Sequence, residues 1–100
     1  ASLNKRKRVC VVTPEHERVR KYIIEELTRG CSLYKVIGGY NGEESIEIEV
    51  LLTQSEFSSL MNFLRTNEIH AFITAGNCSE VYGLWHKGGK RKGHDEVVLV

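Results

Sequence analysis

The residues of this 100-residue chain best equipped for metal or nucleophilic chemistry are its four histidines and three cysteines. They lie at His16, His70, His86 and His94, and at Cys10, Cys31 and Cys78. No CxxC, HxxxH or HExxH spacing occurs among them, so no pair is pre-set on one face of a turn or helix to hold a metal. Cys10 and Cys31 fall in apolar runs, where a thiol packs as a small hydrophobe. No local signature marks a nucleophile. No catalytic residue, metal or cofactor is expected. Three unpaired cysteines also suit a reducing compartment better than a disulfide framework.

Phosphate chemistry fares no better after the first apolar run. Thr13-Pro14-Glu15-His16 places a carboxylate where a glycine-rich cradle would have to receive an anion. The net charge of +1 exerts no general pull on nucleic acid or membrane. Its distribution is uneven, however. Lys5, Arg6, Lys7 and Arg8 open the chain, Lys87, Lys90, Arg91 and Lys92 lie near its end, and Glu43, Glu44, Glu47 and Glu49 stand between. An RNA-recognition sheet needs aromatic residues on its central strands, and here two glutamates would meet the phosphates instead. Nucleic acid is therefore not an expected partner, and any contact of that kind, or with a lipid surface, falls to the basic ends.

The elements that must carry these residues follow from periodicity. Residues 9–13 form a short β-rich run ending at Thr13-Pro14, a helix-start signal. Val19, Ile23 and Leu27 then mark one face of a helix, and Gly30 is expected to stop it. Residues 31–40 read as a strand, and Gly38-Gly39 with Asn41-Gly42 marks a hairpin turn. Ser45–Leu52 is the cleanest strand, with Ile46, Ile48, Val50 and Leu52 on one face and Glu47 and Glu49 on the other. Thr53-Gln54-Ser55-Glu56 is a capping box, and Phe57, Leu60, Met61 and Leu64 follow at helical spacing. Residues 70–75 give a fourth strand. Residues 80–85 are ambiguous, and residues 96–100 allow a terminal edge strand.

The order βαββαβ predicts an α+β, ferredoxin-like sandwich: a four-stranded antiparallel sheet with both helices on one face. The expected division is a basic leader or juxtamembrane segment at 1–8, the ferredoxin-like domain at 9–86, and a basic loop with a further strand at 87–100. The chain begins Ala1-Ser2-Leu3 and is read as a piece of a longer polypeptide. No apolar run is long enough to span a bilayer.

Two stretches carry a resemblance. Leu27-Thr28-Arg29-Gly30-Cys31-Ser32 with Tyr40-Asn41-Gly42, and Ala71-Phe72-Ile73-Thr74 with Ser79-Glu80-Val81-Tyr82-Gly83, resemble the soluble C-terminal domain of YitT-type bacterial membrane proteins, a domain of unknown function. The chain is more distantly similar to PII-like signalling proteins, which use this fold to bind small effectors between subunits. It departs from the family pattern at Cys31-Ser32, Ile69-His70 and Leu84-Trp85-His86. The resemblance implies a bacterial, non-catalytic regulatory domain, on the cytoplasmic side of the membrane where membrane spans tether it; homo-oligomers are expected because the open sheet face carries Leu51 and parts of the first two strands, more apolar surface than a monomer usually leaves wet. It further implies a small anionic or nucleotide-like effector, with Arg29 as charge partner, Gly30 and Gly42 for backbone approach, and Tyr40, Thr74 and Glu80 lining the site. The alternative is a purely structural oligomerisation domain.

Overall fold

The computed structural model describes residues 5–86 and 95–98. Its main sheet has the strand order β2-β3-β1-β4, with β1 at Arg6–Val12, β2 at Ser32–Ile37, β3 at Glu44–Leu52 and β4 at Phe72–Cys78. All neighbours are antiparallel. Helix α1 (His16–Lys21) continues into a π-helical turn at Tyr22–Glu26, and α2 spans Gln54–Thr66. This is the ferredoxin-like sandwich that the element order implies.

The core forms where the inward faces meet. Val9 and Val11 of β1, and Ile48, Val50 and Leu52 of β3, are buried against Val19, Ile23, Leu60 and Leu64 of the helices. Strand alternation does this without choice: one face holds the β-branched residues, so Glu47 and Glu49 turn to the open face. The expected orientation of β3 holds. Tyr22 and Phe63 stack at 4.0 Å across the two helices and close the outer layer.

Three local boundaries differ from expectation. Thr13 does not cap α1, whose N-cap is Glu15 with no side-chain bond. Thr13 is buried instead, its hydroxyl donating to the His70 carbonyl at 2.7 Å and accepting from the Glu15 amide at 3.1 Å. It pins the exit of β1 to the approach of β4. The first helix is stopped by Thr28, at φ 55°, and not by Gly30. The Leu27 amide reaches back to the Tyr22 carbonyl and that of Arg29 to Ile23, a C-terminal closure one residue wider than usual. Finally, β4 runs to Cys78, because β1 begins at Arg6 and offers Lys7 and Arg6 as partners to Asn77 and Cys78. The chain's weak β-formers Gly76 and Asn77 are held in place by that ladder.

A second, two-stranded sheet pairs β5 (Gly83–His86) with β6 (Asp95–Val98). The terminal strand thus joins β5 and does not extend the main sheet.

Candidate functional site

The open face of the main sheet ends in a cleft of about 710 Å³. Its first wall is the helix-to-strand turn Thr28–Ser32. Its floor is Arg8 of β1 with Glu49, Val50 and Leu51 of β3. Its second wall is Cys78 and the segment from Glu80 to Tyr82 that leaves β4. The size lies within the usual range for small-molecule sites.

The first wall is fixed from below. Arg29 Nε donates to both Glu56 carboxylate oxygens, at 3.1 and 2.9 Å. Glu56 Oε1 also accepts the Thr53 amide at 2.8 Å, while Thr53 Oγ1 accepts the Glu56 amide at 3.1 Å. The capping box of α2 and the wall of the cleft therefore share one carboxylate. Burial pushes the Glu56 carboxyl up, but the Thr53 amide and the Arg29 guanidinium outweigh it and hold the group below its ordinary value. Arg29 reaches Glu56 through Nε alone, so among the described residues its two Nη groups remain open to a ligand.

Charge elsewhere in the cleft is mostly matched. Arg8 forms an ion pair with Glu49, which raises the guanidinium further above its ordinary value, and Glu49 also accepts the Tyr34 hydroxyl at 3.1 Å. Glu80 accepts the Tyr82 hydroxyl at 2.9 Å. Cys31 lies in the first wall, but burial raises its thiol pKa and the nearby Arg20 charge only partly opposes this. A thiol pushed upward is a poor nucleophile at neutral pH. Among the described residues no three of His, Cys, Asp or Glu gather where they could hold a metal ion.

Residues 29–83 match a family described as an uncharacterized protein conserved in bacteria, DUF2179. The chain belongs to the DUF2179 family. An uncharacterized protein from the cccA 5′ region of Bacillus sp. PS3 is 36% identical over 73 residues, which cover 73% of this chain and 49% of that protein. The UPF0750 membrane protein YvjA of Bacillus subtilis is 24% identical over 80 residues, covering 80% of this chain and 28% of that protein. The chain thus spans about half the length of the first relative and about a quarter of the second. Two solved structures share the fold. One is a DUF2179 protein of Eubacterium ventriosum, with TM-score 0.60 and 18% identity, covering 72% of this chain and 97% of that one. The other is described as a putative PII-like signaling protein of Thermus thermophilus, with TM-score 0.61 and 14% identity, covering 74% and 86%. The sequence resemblance to this family is confirmed, and the PII-like resemblance holds at the level of fold. No helix among the described residues is long and apolar enough to cross a membrane.

The two ends of the DUF2179 match, near Arg29 and Gly83, are the two walls of the cleft. Arg29, Gly30 and Glu80 come together there. Thr74 lies beside the cleft, exposed on the open face opposite Cys10, in a shallow depression that shares Arg8 and Cys78. Tyr40 and Gly42 stand in the β2–β3 turn, a strand's length of about 20 Å away. Gly42 has φ 73° and serves that turn, and Tyr40 is fully exposed. The sequence singled out Arg8 for a basic surface and Glu49 for the open face of its strand, but it did not place either of them, or Glu56, at this cleft. Only the capping-box pattern pointed to Glu56, and for another role.

The basic opening of the chain is largely sheet. Arg6 and Arg8 lie on the open face. Lys7 turns to the covered side, donating to Asn77 Oδ1 at 3.0 Å and standing 5.7 Å from the Phe57 ring centre. Lys5 is exposed ahead of β1. Lys87, Lys90, Arg91 and Lys92 lie outside the described residues.

Proposed function

We propose that this DUF2179 domain is a non-catalytic regulatory module that binds a small effector in the Thr28–Tyr82 cleft. In its parent protein it is tethered to membrane spans on the cytoplasmic side and gathers into homo-oligomers. The observation that carries this reading is the cleft itself, built from both ends of the family-matching segment, with Arg29 in its lining and the Arg29 Nη groups not engaged by Glu56. Two relatives named as membrane proteins support the tether. A structural neighbour described as PII-like in signalling supports the regulatory role. A guanidinium with unused planar donors suits a carboxylate or phosphate, the anionic or nucleotide-like class.

Thermal-shift screening against nucleotides and metabolites tests the reading. A saturable rise in melting temperature, lost in Arg29→Ala, is expected. Absence of stabilisation by every compound, with the oligomer intact, removes the effector. The purely structural reading then gains, and it has an observation of its own. Leu33 and Ile37 on edge strand β2 and Phe72 on edge strand β4 are 46%, 71% and 70% exposed. Apolar edges of this kind are ordinarily covered.

A further inference from the structure

We propose that the ligand of the cleft is zwitterionic, with its anionic end at Arg29 and a cationic end at Glu80. This rests on the effector reading above and names the chemistry of its ligand. Arg8 is matched by Glu49, and Arg29 is matched by Glu56 beneath the wall. Glu80 is the remaining charge. Its carboxylate accepts a phenol hydroxyl from Tyr82, and among the described residues no cation pairs with it. A ligand with only negative charge gains the Nη donors of Arg29 but meets the Glu80 carboxylate, which repels it.

A ligand with both charges escapes that repulsion. Its carboxylate takes the paired Nη donors of Arg29, which Glu56 leaves unused because it engages Nε alone. Its ammonium gives Glu80 the counter-ion it lacks. The two groups stand on opposite walls, so a molecule must span the cleft to satisfy both, while Leu51 and Val81 supply the apolar surface between them. These features describe an amino acid whose ammonium and carboxylate lie at opposite ends of an aliphatic chain, or a short aliphatic peptide.

The test uses three compounds on one aliphatic chain: 6-aminohexanoate, hexanoate with the carboxylate alone, and hexylamine with the ammonium alone. L-leucyl-L-leucine and inorganic phosphate complete the panel. Binding to the 100-residue chain is followed by amide chemical shifts of both walls. The expected result is a saturable response to 6-aminohexanoate or the dipeptide, with each single-charge analogue weaker by about tenfold or more. Glu80→Gln lowers affinity for the zwitterion and, by removing the repulsion, raises that for hexanoate, so that the two converge. Equal binding of hexanoate and 6-aminohexanoate, or of phosphate alone, overturns the zwitterion and leaves the effector reading in place. Zwitterion binding indifferent to Glu80→Gln overturns the assignment of Glu80. Binding by no member of the panel overturns the zwitterion, and only the wider metabolite screen then decides the effector reading.

Discussion

Glu56 joins the capping box of α2 to the wall of the cleft, which makes it the most informative residue to perturb. Glu56→Ala removes the acceptor of the Thr53 amide and both contacts to Arg29 Nε, while the reciprocal bond from Thr53 Oγ1 to the residue-56 amide survives. Losing half a capping box costs about 0.5–1 kcal/mol. Losing a charge-assisted pair whose side chains are 32% and 21% exposed costs about 1 kcal/mol more after solvent screening. The sum is about 2 kcal/mol. Glu56→Gln keeps an oxygen for the Thr53 amide but loses the charge, so it costs about 1 kcal/mol. Urea denaturation at pH 7 should rank wild type above Gln above Ala, with unchanged slope and midpoints separated by about 0.5 M per step. The pH dependence adds a sign. The carboxyl of Glu56 lies below its ordinary 4.5 in the folded protein, so its stabilisation is complete above that value and is lost as pH falls through the lower, folded one. The gap between wild type and Glu56→Gln should therefore close below about pH 4. A gap of constant size from about pH 7 to about pH 3, or two variants within about 0.5 kcal/mol of wild type, would refute the shared-carboxylate account.

Other perturbations follow from single geometries. Thr13→Val removes the bonds to His70 and Glu15 from a site only 2% exposed and should cost about 2 kcal/mol, whereas Thr13→Ser, which keeps both, should cost about half as much; urea midpoints distinguish them. Thr28→Gly relieves a β-branched residue held at φ 55° and should raise stability by about 0.5–1 kcal/mol, less than the full strain because glycine also loosens the unfolded chain; a fall in melting temperature would show that the side chain matters more than the strain. Phe72→Ser should abolish any concentration dependence of the melting temperature if the β4 edge is an assembly surface; persistence of that dependence moves the interface elsewhere. Arg8→Ala, at 63% side-chain exposure, should leave the midpoint in the same urea assay close to that of wild type despite the ion pair with Glu49, because solvent screens it.

Periodicity was enough to fix the layers. The period-2 run from Ile46 to Leu52 and the helical spacing of Phe57, Leu60, Met61 and Leu64 allow one burial solution, because a one-residue slip would put Glu47 and Glu49 under the helices. Thr53 and Glu56 were likewise legible as a capping box, since both partners lie within one turn of each other. The family, too, was readable from short stretches near Arg29 and Glu80. What the sequence left open depends on contacts between distant residues. Thr13 looks like a helix cap until the His70 carbonyl, 57 residues away, claims its hydroxyl. The KRKR run looks like a tail until β4 and β3 pair with it and send Lys7 and Arg8 to opposite faces. The candidate site divides in the same way. Arg29 and Glu80 share a cleft because β2 starts and β4 ends at the same end of the sheet, and Tyr40 and Gly42 lie apart because the hairpin occupies the other. Local pattern sets which way each side chain faces, but only closure of the sheet decides which walls meet.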